Sequence, residues 1–223
     1  MDANEEDNMK VLVVGATGGS GRAAVTALLR RGHDVTVFVR NDTALGDLAG
    51  RSTVVTGDAT RPEDVDVAVR GQDAVVVTLG ISENPVRVRM RGPAGTALDV
   101  RSRGTRNIVA AMGRHDVRRL VVQTSYGVGD TRGKLPRRYA LMFRALLGPQ
   151  IADTEKQDAL VRGSDVLWTL VQPVNLTDEE SGTATTSDTG EVAGWHVARG
   201  AVGEVLADAV ERPDYAGKTI AVS

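Results

Sequence analysis

Apolar residues in this chain gather into short unbroken runs separated by longer stretches of mixed character. Residues 11–14, 35–39, 53–56, 73–80 and 119–125 carry such runs, Val11-Leu12-Val13-Val14 and Ala74-Val75-Val76-Val77 among them. This is the pattern of strands covered on both faces of a parallel sheet. The stretches between them predict crossover helices. One spans residues 20–31 and stops at Gly32, and another opens at Arg61-Pro62-Glu63-Asp64 with proline at an early helical position. A short helix runs through Leu48, capped by Asp42. A long one spans residues 94–114 and ends near Gly113, with Leu98, Ile108, Val109 and Met112 toward the sheet and Arg101, Arg103 and Arg106 among polar neighbours.

Five strand–helix alternations in one direction require right-handed crossovers, which predicts an α/β fold, a Rossmann-like doubly wound parallel sheet, for which the strand order 3-2-1-4-5-6 follows by analogy. The 223 residues suit a single domain of this kind. It is expected over residues 9–223, after a disordered leader at 1–8, with a small substrate region toward its C-terminus. Residues 81–93, with Arg87, Arg89 and Arg91, read as a surface loop.

Composition narrows the chemistry. The chain has no cysteine, so disulfides, thiolate metal sites and cysteine nucleophiles are excluded. His33, His115 and His196 lie far apart without metal-ligand spacing, and no metal is expected. No run is long and apolar enough for a membrane span, and the acidic Met-Asp-Ala-Asn-Glu-Glu-Asp start is unlike a signal peptide, which predicts a cytoplasmic protein with no membrane partner. Net charge is −2, yet residues 86–144 are rich in arginine and 151–191 in acid. Solvated helix faces are the commoner reason for such blocks; nucleic acid is not favoured.

The first strand runs into Gly15-Ala16-Thr17-Gly18-Gly19-Ser20-Gly21-Arg22. Gly15 permits a sharp turn, Gly18 lets a pyrophosphate approach the backbone, and Gly21 lets the helix pack on the sheet. Amides near Gly19 and Ser20 point at phosphate from a positive helix terminus. Arg22, a cation in the first helical turn, opposes the macrodipole unless an anion lies nearby. At the end of the second strand, where an acid would hold the ribose 2′-OH of NAD, stands Arg40, which accommodates the 2′-phosphate of NADP. NADP(H) is therefore the expected cofactor, with Arg22 as a second clamp. Asp58 falls where adenine would lie or else serves as a turn residue, and Gly80 permits close approach of a ribose. Gly15, Arg40, Asp58, Gly80 and Ser125 all fall on the carboxyl edge of the sheet.

Residues 104–112, Gly-Thr-Arg-Asn-Ile-Val-Ala-Ala-Met, with residues 117–125, 163–173 and 214–219, resemble the atypical short-chain dehydrogenase/reductases that include NmrA-like proteins and the flavin/biliverdin reductase B group. Segments 126–150 and 176–199 match poorly, and substrate is expected to be selected by residues 126–150 and 174–200. The resemblance implies that Gly15, Thr17, Gly18, Gly19, Ser20, Gly21, Arg22 and Arg40 hold the phosphates. It places Asp58 and Ala59 at adenine, Thr78, Leu79 and Gly80 at the ribose, and Thr124, Pro173 and Val174 at the nicotinamide. Ser125 stands at the active-site serine position.

The chain departs from the superfamily in its acid. Tyr139 lies at a plausible distance after Ser125, but the residue four further on is Phe143, so the lysine that lowers the tyrosine pKa is missing. Tyr126 is a second candidate proton donor or else a rim aromatic. Lys156, in an acidic helix, reads as a surface ion pair. Trp195 and His196 are possible covers for substrate. The sequence thus predicts an NADPH-dependent reductase transferring hydride to a small-molecule acceptor, a flavin, quinone or keto compound, as a monomer or homodimer. Two alternatives stay open: a non-catalytic NADP(H) sensor, and a lyase or isomerase built on the same fold.

Overall fold

A computed structural model describes residues 8–81, 95–135, 137–179 and 182–223, the side chains of Thr43 and residues 137–147 excepted. Most of the expected leader, most of the arginine loop and the Tyr139 side chain fall outside the described residues.

Six parallel strands form in the expected order. They are β1 (Lys10–Val14), β2 (Asp34–Val39), β3 (Thr53–Thr56), β4 (Ala74–Val77), β5 (Arg119–Gln123) and β6 (Leu167–Pro173), arranged β3-β2-β1-β4-β5-β6. Beyond β6 the sheet continues with β10 (Lys218–Val222), parallel to β6, and β8 (Thr186–Ser187), antiparallel to β10. A separate pair, β7 (Asn175–Thr177) and β9 (His196–Ala198), ties the chain after β6 to the start of the last helix. The register aligns the strand ends: Val14 lies opposite both Phe38 and Val77, and Val77 opposite Val122. The turns that follow these strands therefore share one edge.

The helices are α1 (Gly19–Arg30), α2 (Pro62–Val69), α3 (Val100–Arg114), α4 (Arg137–Arg162) and α5 (Arg199–Glu211). Because successive side chains of a strand point to opposite faces, each central strand feeds two cores. Val11, Val13, Ala74 and Val76 pack with α1 and α5, whereas Leu12, Val14, Val75 and Val77 pack with α2, α3 and Val161 of α4. That double coverage explains why the strands read as continuous apolar runs.

Several boundaries differ from expectation. Helix α3 starts at Val100, so Leu98 precedes it and is 45% exposed rather than turned to the sheet. Its other end, at Arg114, is where it was expected, and the chain then turns at Asp116, with φ of 57°. Residues 42–50 form two 3₁₀ turns rather than a capped helix; Asp42 acts through its carbonyl, which accepts the Leu45 N–H at 2.9 Å. The acidic segment around Lys156 belongs to α4, a 26-residue helix that passes through Pro149. Helix α5 and strand β10 complete the sheet and its coverage where only substrate-selecting chain and matching sequence were expected.

Candidate functional site

At the end of β1 the chain reverses through Gly15, whose φ of +92° is the left-handed region that favours glycine. The Gly15 carbonyl accepts the Gly18 N–H at 3.1 Å, and the first bond of the α1 ladder runs from Arg22 N–H to the Gly18 carbonyl. The amides of Gly19, Ser20 and Gly21 consequently precede the ladder and lack intrahelical acceptors. No side chain caps α1, and its first turn holds no acid. A Cβ on Gly21 would lie 2.2 Å from the Gly15 carbonyl oxygen, so only glycine lets the helix start this close to the turn. Thr78 locks the arrangement, with its hydroxyl 3.2 Å from the carbonyls of both Val14 and Gly15.

A cleft of about 260 Å³ opens above this turn, lined by Gly15, Thr17, Gly18, Gly19, Ser20 and Gly21, by Arg40, Asp58 and Ala59, and by Thr78, Leu79 and Gly80. Phe38, Gln123 and Arg199 also reach it. On the wall after β3, Asp58 accepts the Thr60 N–H and hydroxyl, each at 2.8 Å. Burial works against the Asp58 carboxylate, but the two Thr60 bonds and the Arg40 and Arg61 charges outweigh it and hold the group below the usual range. Arg40 donates across the cleft to the Gly95 carbonyl and to Thr96 Oγ1.

Helix α3 props these walls from behind with residues three apart. Arg101 donates to the Leu79 carbonyl at 2.6 Å, Gly104 packs so closely that a Cβ would meet Leu79 Cδ1 at 2.6 Å, and Asn107 donates to the Ala59 carbonyl at 2.9 Å. Arg101 is thus half-buried against the cleft wall. Burial lowers its pKa, against the pull of Asp153. Asp153, on α4, caps α3 from outside by accepting the Arg101 N–H at 2.9 Å, the Ser102 N–H at 3.3 Å and the Ser102 hydroxyl at 2.5 Å. The spacing of 101, 104 and 107 was visible in the sequence; that this face meets the strand-end loops was not.

Two expected site residues are engaged elsewhere. Arg22 Nη1 donates to the Ala44 and Leu45 carbonyls at 2.7 and 2.9 Å, so backbone oxygens already offset its position in the first helical turn. It holds the 3₁₀ turns beside α1 and is absent from the cleft lining. Tyr126 donates its hydroxyl to the Gly190 carbonyl at 3.0 Å and meets Trp195 edge-on at 5.9 Å, and burial raises its pKa. A hydroxyl so committed is a poor proton donor, and Tyr126 instead ties β5 to the chain before β9.

Thr124 is buried and its Oγ1 has no hydrogen-bond partner among the described residues, while Ser125 is half-buried just beyond β5. The Pro173 carbonyl accepts the Tyr126 N–H, and the Val174 N–H donates to the Val222 carbonyl. These four residues close the neighbouring part of the same edge without lining the 260 Å³ cleft. Lys156 is exposed on α4, away from the cleft.

The cleft fits a dinucleotide on its own features: a helix terminus free of acid and, among the described residues, without a side-chain cap, a turn built of glycines, and Gln123 in its lining, whose buried Oε1 has no hydrogen-bond partner among the described residues. Together with the strand order, these define a dinucleotide-binding protein of the Rossmann type. The chain belongs to the NAD(P)H-binding family, whose model matches residues 15–213. It is similar, at 36% identity over 126 residues, to a 3-beta-hydroxysteroid dehydrogenase of Mycolicibacterium neoaurum, a match covering 53% of this chain and 32% of that one. It is also similar, at 32% identity over 120 residues, to a 2-alkyl-3-oxoalkanoate reductase of Stenotrophomonas maltophilia, covering 54% of this chain and 34% of that one. The matches thus span about a third of the length of these curated relatives. Among solved structures, a short-chain dehydrogenase/reductase from Veillonella parvula in complex with NADP superposes with a TM-score of 0.78 at 19% identity, covering 96% of this chain and 94% of that one, which shows the shared fold.

Proposed function

We propose that the protein is an NADPH-dependent reductase that delivers hydride to a conjugated or carbonyl small molecule. The observation that carries this reading is Arg40, which follows β2 and lines the cleft 18 residues beyond Arg22, where a ribose 2′-phosphate would lie. The dehydrogenase and reductase names of the two curated relatives support the reaction class. When bound, the dinucleotide supplies the hydride, and the chain's work is to orient it and exclude water. The amides of residues 19–21 would hold the diphosphate, Asp58 with Ala59 the adenine, and the Leu79–Gly80 wall the ribose.

The engaged hydroxyl of Tyr126 and the missing lysine four residues after Tyr139 favour acceptors whose proton can come from solvent, such as flavins or quinones. The same observation keeps the sensor reading in play. Titration with NADPH and NADH, followed by loss of nicotinamide absorbance with flavin, quinone and keto acceptors, tests both. Turnover with retained activity in Tyr126→Phe is expected. NADPH binding without turnover on any acceptor would turn the assignment to a sensor, and preference for NADH would overturn the role of Arg40.

A further inference from the structure

Arg199 is the first residue of α5, yet its side chain lies across the glycine turn at the other end of the chain. A Cβ added to Gly19 would come within 2.5 Å of Arg199 Cδ and 2.9 Å of Nε, so the stem of this arginine covers the first residue of α1. Its guanidinium lines the cleft and pairs with Asp178 at 2.5 Å. The Asp178 side chain is 88% exposed, whereas that of Arg199 is 30% exposed.

The electrostatics around this group are unbalanced. Arg199 occupies the N-terminal turn of α5, which contains no acid, and it lies over the N-terminus of α1, which also has none. A cation at two positive helix ends is unfavourable unless an anion joins it. Asp178 is the anion at hand, but an exposed carboxylate is a weak holder because water screens it. A phosphate seated on the amides of residues 19–21 would meet the same guanidinium with bidentate geometry and less water.

We infer that Arg199 grips the diphosphate bridge of the bound dinucleotide and that Asp178 competes for it, so that cofactor binding exchanges a carboxylate partner for a phosphate one. The inference rests on the dinucleotide reading of the cleft and adds a residue to it from the C-terminal half. It separates two cationic roles: Arg40 discriminates the 2′-phosphate, while Arg199 acts on the part common to NADP and NAD.

The test is calorimetric titration of the full chain and its Arg199→Gln and Asp178→Asn variants with NADPH, NADH and adenosine 2′-monophosphate, which has no phosphate at the bridge position. Arg199→Gln is expected to weaken both dinucleotides about tenfold or more, as for loss of a charge-assisted hydrogen bond, with the monophosphate changed much less. Retained monophosphate binding also shows that the variant is folded. Asp178→Asn is expected to tighten both dinucleotides. Equal affinity of wild type and Arg199→Gln for the dinucleotides, or weaker binding by Asp178→Asn, would overturn the inference while leaving the cofactor reading intact. Wild-type protein that binds neither dinucleotide would overturn both.

Discussion

Arg40 and Asp58 stand at the ends of neighbouring strands and face each other electrostatically, which makes them the residues where single changes read out most directly. If Arg40 contacts a 2′-phosphate, Arg40→Ala removes a charge-assisted contact worth about 1.5–3 kcal/mol, or roughly ten- to hundredfold in NADPH affinity, with NADH little affected. Competition titration of the two cofactors measures this, and an equal loss for both would show that Arg40 acts only through the loop at residues 95–96. Asp58 titrates lower in the fold than a free carboxylate. Its contribution to stability is therefore fully present above the ordinary range near ~3.9 and is lost as pH falls through its depressed folded value. The Tm gap between wild type and Asp58→Asn should narrow as pH is lowered from about 6 to about 3. A gap that widened on acidification would contradict the assigned direction.

Among the elements, α3 couples packing to the cofactor walls. Its N-terminus has no cap from Asp99, the residue that precedes it, and takes one from Asp153 on α4 instead. A buried rung, Gln157 Nε2 to Thr105 Oγ1 at 2.9 Å, joins the same two helices. Asp153→Ala should cost about 1–3 kcal/mol, because it strands buried donors. For a chain of this size that lowers Tm by roughly 3–10 °C in a thermal melt. Since Arg101 and Asn107 carry the restraint to Leu79 and Ala59, dinucleotide affinity should fall together with stability. An unchanged Tm would mean that α3 is held by its apolar face alone.

At the scale of the whole molecule, the site depends on how closely α1 and α5 pack. A Cβ on Gly203 would lie 2.5 Å from the Ala23 carbonyl carbon and 2.7 Å from Ala23 Cβ, so glycine sets the separation of the two helices. Their outer ends are joined by Arg31, which meets Glu204, Asp208 and Glu211 at 3.0, 2.8 and 2.7 Å. Burial disfavours the Arg31 charge, but these carboxylates more than offset it and raise its pKa. Gly203→Val should cost about 1–3 kcal/mol by overpacking. It should also weaken dinucleotide binding, because the α1 terminus and Arg199 at the α5 terminus would move apart. Thermal melts and cofactor titration of the same sample check this, and normal affinity in a destabilised variant would uncouple the helix pair from the site.

Local chemistry determined the strands and the glycine turn. Unbroken apolar runs follow from burial on two faces, and Gly15 and Gly21 follow from turn and contact geometry that no other residue satisfies, so both were legible along the chain, whereas the strand order was expected by analogy with the fold. The partners of charged side chains were not legible. Arg22, Arg101 and Arg199 carry the same guanidinium, and only the folded arrangement assigns one to backbone carbonyls, one to the wall behind Leu79 and one to the glycine turn. The same holds for Tyr126, whose hydroxyl found the Gly190 carbonyl, 64 residues away in sequence. Covalent geometry and burial act over a few residues and leave a periodic trace, whereas hydrogen bonds between distant segments leave none until tertiary packing brings donor and acceptor together.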